Sequence, residues 1–151
     1  MAKKTTDLKY YEAVGRRKEA VARVRLYLVT NKEGKVNVGN HEIKKGEIFI
    51  NGKPATVVYS SQDEIERLLL PLKLTQQENR FAISVLVKGG GREGQLGAIV
   101  HGLSRGLVLA DSQLKPILRQ HHLLTRDPRM KERRKVGTGG KARRKKQSPK
   151  R

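Results

Sequence analysis

The chain has 151 residues, 36% of them apolar, no cysteine, and 34 Lys/Arg against 14 Asp/Glu, a formal charge of +20. The lack of cysteine excludes disulfides and thiolate metal sites, and no apolar run approaches the roughly 18 residues of a transmembrane helix. A charge this large selects polyanionic partners: nucleic acid first, an anionic membrane second, an acidic protein third.

Residues 1–8 read as a frayed polar end. MAKKTTD lacks an apolar stretch after its lysines, so it is not a secretory signal, and the expected compartment is the cytoplasm or its organellar equivalent. Tyr10 to Val29 reads as two strands around a basic turn, YYEAV-GRRK-EAVARVRLYLV. Ala20, Ala22, Val24, Leu26 and Leu28 alternate onto one face; Val21, Arg23, Arg25 and Tyr27 take the other. Residues 31–40 suggest a turn and a short strand. Glu47 to Asn51 suggests another strand, closed by the turn dipeptide Asn51-Gly52. Ser61-Gln62-Asp63-Glu64 fits a capping box, opening a helix with Ile65, Leu68 and Leu69 inward and a stop near Pro71.

Phe81 to Lys88 is the best strand, with Phe81, Ile83, Val85 and Val87 on one face and Ala82, Ser84 and Leu86 on the other. It runs into KGGGREGQLG, residues 88–97, and then a helix of about fifteen residues. Leu96, Ile99, Val100, Leu103 and Leu107 form its apolar stripe, with His101, Ser104 and Arg105 opposite. A shorter helical piece carries Leu114, Ile117 and Leu118, and Pro116 is tolerable only in its first turn. Early strands followed by helices predict an α+β fold, a mixed sheet with helices packed on it.

The stretch most open to an enzymatic reading is the Gly-rich turn. A strand, a glycine turn and a helix N-terminus form a generic anion site. Neither a Gly-Lys-Ser/Thr clamp nor a GxGxxG pattern with a downstream acid is present. Three readings remain: a ligand loop, a tight turn, and backbone approach to nucleic-acid phosphates. Asp63, Glu64 and Glu66 are first-turn acids complementing a helix dipole rather than catalysts. His41, His101, His121 and His122 lack metal-ligand spacing, and no serine or lysine stands in a nucleophile's context. No enzyme activity, cofactor, metal or small-molecule substrate is expected. With four Tyr, two Phe and no Trp, the partner expected is structured RNA or duplex held by its backbone, since stacking on single strands wants several exposed rings.

Arg126 to Arg151 carries thirteen Lys/Arg against Asp127 and Glu132, a net +11, with only Met130, Val136 and Ala142 apolar. Such a segment cannot bury enough surface to offset its ordering entropy and should be an extended, self-repelling arm. The chain thus divides into a polar end (1–8), a globular α+β RNA-binding domain (9–125) and a basic extended tail (126–151). Gly137 and Gly139-Gly140 let that tail bend close to RNA.

Gly15-Arg16-Arg17-Lys18, Ala20-Val21-Ala22-Arg23-Val24 and Ile50-Asn51-Gly52-Lys53-Pro54 together resemble the bacterial-type small-subunit ribosomal protein nine family. So do Gly89-Gly90-Gly91, Gly94-Gln95, Gly97-Ala98-Ile99, His101-Gly102-Leu103-Ser104-Arg105 and Leu124-Thr125-Arg126-Asp127-Pro128-Arg129 with Lys131-Glu132-Arg133, all in family order. The resemblance implies a fold similar to the second domain of ribosomal protein five. It implies a place in the small-subunit head, bound to ribosomal RNA beside other head proteins, and a role in translation without a membrane. It further implies a tail threaded through RNA toward the anticodon stem-loop of peptidyl-site tRNA, where Lys150 and Arg151 match the terminal Lys-Arg. The tail departs from the family at Gln147-Ser148-Pro149, where an aromatic residue is common. His122 stands near a position often Gly, and Gly106 where Ala is usual.

The expected RNA contacts on the body are Arg16, Arg17, Lys18, Arg23 and Arg25 near the first hairpin. At the Gly-rich turn and the following helix they are Gly89, Gly90, Gly91, Arg92, Gln95, His101 and Arg105. Arg126, Arg129, Lys131, Arg133, Arg134, Lys135, Lys141, Arg143 and Arg144 extend the set along the tail. Guanidinium groups engage phosphate oxygens bidentately, and about ten such contacts would give a log K against log salt slope on the order of −7 to −9. Two other classes fit the same charge: a DNA-compacting or RNA-chaperone polycation without a fixed site, and a phosphate-ester enzyme using the Gly-rich loop.

Overall fold

The structure, a computed structural model, describes residues 9–29, 34–39 and 41–137. Tyr10–Arg17 (β1) and Ala20–Leu28 (β2) form an antiparallel pair, and β2 pairs antiparallel with Phe81–Lys88 (β7). Ile48–Ile50 (β5) lies parallel to β7 and carries the two-residue strand Lys53–Pro54 (β6) on its other side. The five-stranded order is β1-β2-β7-β5-β6, a mixed sheet with helices, as expected. Lys35–Val38 (β3) and His41–Lys44 (β4) pair as a separate ribbon.

The first hairpin reverses later than the basic run suggests. β1 continues through Gly15, Arg16 and Arg17, and the loop is Lys18-Glu19, with Lys18 at φ 51°. Because strand neighbours alternate faces, Arg16 and Arg17 point to opposite sides of the sheet. Gly15 stays in the strand because the helix Arg92–Ala110 (α3) crosses there, with Ala98 and Gly102 against it.

One face of the sheet is the core. Ala20, Ala22, Val24, Leu26, Phe81, Ile83, Val85 and Val87 meet Leu96, Ile99, Leu103 and Leu107 of α3, all buried. Leu68 and Leu72 of Gln62–Leu74 (α2) complete this layer, after the single turn Ala55–Val58 (α1). The helix does not stop at Pro71. The proline costs one bond to the Arg67 carbonyl, but Pro71 and Leu72 are buried and Thr75 closes the end, its amide and hydroxyl both donating to the Pro71 carbonyl. Ser61 is the N-cap without a side-chain bond, so the expected box is half formed, with Glu64 interacting with the Ser61 backbone.

Helix α3 is longer than expected and begins inside the Gly-rich stretch, at Arg92. It is also buried on a second side. Ser104 is fully buried, its hydroxyl donating to the Val100 carbonyl at 2.8 Å, and is not solvent-facing as its place in the pattern suggests. Gly94, Ala98, Gly102 and Gly106 make this second side thin enough for the helix backbone to lie on β1 and β2. The outer face of the sheet is covered only in part, where the β3–β4 ribbon buries Val36 and Ile43 over Tyr27 and Ala82.

Asn51 extends the β5–β7 ladder beyond its last residue. Its side-chain amide donates to the Val87 carbonyl at 3.1 Å and accepts from the Val87 amide at 3.0 Å. Ser112–Leu114 forms a 3-10 turn, and Lys115–Gln120 (α4) places Pro116 in its first turn with Leu118 buried. His122 follows at φ 56°, exposed. A left-handed residue with a Cβ is strained, so His122→Gly is expected to stabilise the free protein by about 0.5–1 kcal/mol. Chemical denaturation would show a raised midpoint; a lowered one would refute the strain argument.

Candidate nucleic-acid interface

β1 is an edge strand, and two of its outward backbone groups are taken by α3 side chains. His101 Nδ1 accepts from the Arg16 amide at 3.3 Å, and one turn later the Arg105 guanidinium donates to the Val14 carbonyl. Two side chains four residues apart therefore reach the β1 edge, where the helical pattern alone puts them on a solvated side. The same imidazole also bonds the Leu124 backbone, so β1, α3 and the segment leaving α4 meet at one ring. Burial, above all, pushes the His101 pKa down, with Arg105 and Arg126 adding to the effect.

The chain then passes Arg17. Asp127 pairs with Arg17 and with Arg129, whose Nη2 lies 2.6 Å from Asp127 Oδ2 and whose amide donates to Oδ1 at 2.9 Å. The Arg129 guanidinium first, and Arg17 second, hold the Asp127 carboxyl well below the usual carboxylate range. The start of the basic segment is thus tied to the β1 edge, where Arg17, His101, Arg105, Arg126 and Arg129 come together; Arg16 joins them only through its backbone amide, its side chain lying on the opposite face of the sheet.

A neutral His101 accepts from Arg16; a protonated one cannot. The unfolded chain, titrating near about 6.5, binds the proton more readily than the folded one. This contribution to stability is complete above that pH and lost as pH falls through it toward the lowered folded value. Denaturation between pH 7 and 5 should weaken the parent protein more steeply than His101→Gln; parallel profiles would refute the assignment.

Lys18, at the first hairpin's loop, lies beside the start of α3. The glycine turn is accounted for largely by geometry. Gly89 and Gly90 have φ 74° and 63°, and a Cβ on either would press on Glu19 or Ala20 of that hairpin. Gly91 faces open space at the α3 N-cap. Two of the expected contacts here are engaged internally. Arg92 is bidentate to Glu64, both distances 2.6 Å, and lies 5.5 Å over the Tyr59 ring. Gln95 donates to the Gly89 carbonyl at 3.2 Å. Arg67 and Glu93 form a second α2–α3 pair. These exposed pairs orient the helices more than they stabilise them.

Arg23 and Arg25 are a separate group on the outer face. Arg23 is exposed; Arg25 meets Glu12 at 2.6 Å and stacks 4.9 Å from the Tyr10 ring centroid. Lys131, Arg133, Arg134 and Lys135 are exposed and outside helix or strand. Lys141, Arg143, Arg144, Lys150 and Arg151 lie outside the described residues. Among the described residues no three acid or imidazole groups are placed to hold a metal ion, and no helix is long and apolar enough to cross a membrane.

Sequence reasoning missed the acids that organise these cations. The signal for Asp127 was present, since Asp-Pro-Arg favours a turn in which the carboxylate accepts an amide two residues on. Glu12 and Glu64 gave no such signal, because their partners are distant in sequence.

A sequence profile for the family described as Ribosomal protein S9/S16 matches residues 15–151. The chain belongs to this family. The match spans both the folded region from Gly15 and the basic C-terminal segment, so both are part of what the family shares. Family membership makes the chain a small-subunit ribosomal protein acting in translation, a structural component rather than a catalyst.

Proposed function

We propose that the protein anchors ribosomal RNA of the small-subunit head on its folded domain, residues 9–125, and carries residues 126–151 as a basic arm toward peptidyl-site tRNA, in the cytoplasm. The observation that supports this most directly is the tie at Asp127. It starts a segment of net +11 at the β1 edge, beside Arg17, with Arg105 and Arg126 close by around His101. A polycation that only condenses nucleic acid has no need of a fixed departure point. Arg16, Arg126, Arg129 and the exposed tail cations take the backbone phosphates. Arg17, Arg92, Gln95, His101 and Arg105 shape the surface that presents them, and Lys150 and Arg151 reach the tRNA.

Density-gradient sedimentation tests the reading. Tagged protein should co-migrate with small subunits in high salt with magnesium present; release at modest salt onto bulk nucleic acid would refute it. Deleting Lys150 and Arg151 should leave assembly intact and weaken peptidyl-site tRNA binding. Unchanged tRNA affinity of purified mutant subunits would defeat the tRNA assignment alone.

A further inference from the structure

The outer face of the sheet holds a groove of about 430 Å³ between the strands and the β3–β4 ribbon, within the size range of clefts for small ligands. Its composition is unusual for this chain. One side presents Arg23 and Arg25; the other presents Phe49 and His41, whose rings lie 6.0 Å apart at 39°. The floor includes Ser84 and Leu86, and Leu86 is 45% exposed. Gly52, at φ 81° in the Asn51-Gly52 turn, leaves the space that His41 occupies, since a Cβ there would stand 2.9 Å from His41 Nε2.

The rings that line the groove are Phe49 and His41; on the same outer face Tyr10 is 44% exposed, while Tyr27 is buried beneath the ribbon. Exposed apolar and ring surface beside guanidinium groups does not suit a duplex, which is held through its backbone and shape. It suits an unstacked base, which finds ring faces and apolar contacts while its phosphate finds a cation. Arg25 is committed to Glu12, whereas Arg23 has no carboxylate partner among the described residues.

We propose that this groove receives one unpaired nucleotide of the RNA, its base against Phe49, His41 and Leu86 and its phosphate at Arg23. The inference rests on the ribosomal RNA reading above and adds a site of defined chemistry on the face opposite α3. The domain thereby grips RNA on two sides, backbone at the β1 edge and a single base on the outer sheet face.

The natural absence of cysteine permits a direct test. Full-length Leu86→Cys, labelled with an azidophenacyl photo-crosslinker, is assembled into small subunits and irradiated. The expected product is a cross-link to one unpaired nucleotide or two adjacent ones. In subunits carrying Arg23→Ala, the same base should lose its protection from chemical modification while the free protein keeps its denaturation midpoint. A cross-link to a protein or to a base-paired segment, or no cross-link in assembled subunits, overturns the proposal. So does unchanged protection with Arg23→Ala. If labelled protein and unlabelled parent alike fail to co-sediment with small subunits, the ribosomal reading fails and the groove assignment falls with it.

Discussion

Gly15→Ala is expected to destabilise the free protein by about 3 kcal/mol or more, a large share of the roughly 5–15 kcal/mol that keeps a domain folded. A Cβ at Gly15 would press inside contact distance on the Ala98 carbonyl and the Gly102 amide and lie 2.8 Å from the Gly102 Cα. All three are helix backbone, which cannot rotate away as a side-chain end can. Relief requires α3 to lift from β1, opening the packing of Leu96, Ile99 and Leu103 against the sheet and parting His101 and Arg105 from the β1 edge. Urea denaturation checks this, with Gly91→Ala as control. Gly91 faces open space, so its substitution should shift stability by no more than about 1 kcal/mol. A Gly15→Ala midpoint equal to the parent's would mean that the crossing is looser than the backbone contact implies.

The same crossing shows where the sequence is legible and where it is not. β2 and β7 were readable because buried apolar residues alternate along each; Ala20 to Leu26 carries that signal unmixed, and Phe81 to Val87 departs from it only at Ala82, which the β3–β4 ribbon buries on the other face. The apolar stripe of α3 was readable for the same reason. Its second buried side was not, because Gly94, Gly102 and Gly106 resemble helix breakers until a sheet is known to lie against them. Pro71 misled in the opposite direction, since a local rule ended the helix that burial of Pro71 and Leu72 extends. The strand His41–Lys44 was missed because it has one buried apolar residue, Ile43, and a single residue has no period.

At the interface, residue type was more legible than residue state. A list of cations marks the regions proposed to face RNA but cannot separate a free guanidinium from one already tied. Arg92 and Arg23 look alike in sequence, yet one is bidentate to Glu64 and the other faces an open groove. The difference depends on acids far along the chain, and only the packing of α2 against α3 brings them close. His101 illustrates the same limit. Its place on a helix suggests a solvated ring, but its role follows from an unpaired edge amide that no local pattern reveals.

Removing residues 138–151 is expected to cost the protein most of its electrostatic grip on RNA while leaving the fold intact. The deletion takes away Lys141, Arg143, Arg144, Lys145, Lys146, Lys150 and Arg151, seven cations and no acid. If each neutralises one phosphate, the slope of log K against log salt should flatten by about 5–6, and affinity at low salt should fall by several powers of ten. The Asp127 tie to Arg17 and Arg129 lies upstream of the cut, so the denaturation midpoint should stay where it was. Binding of parent and truncated protein to a small-subunit RNA fragment across a salt series separates the possibilities. A slope unchanged by truncation would place the phosphate contacts on the folded domain, and the arm would then have to act by something other than its charge.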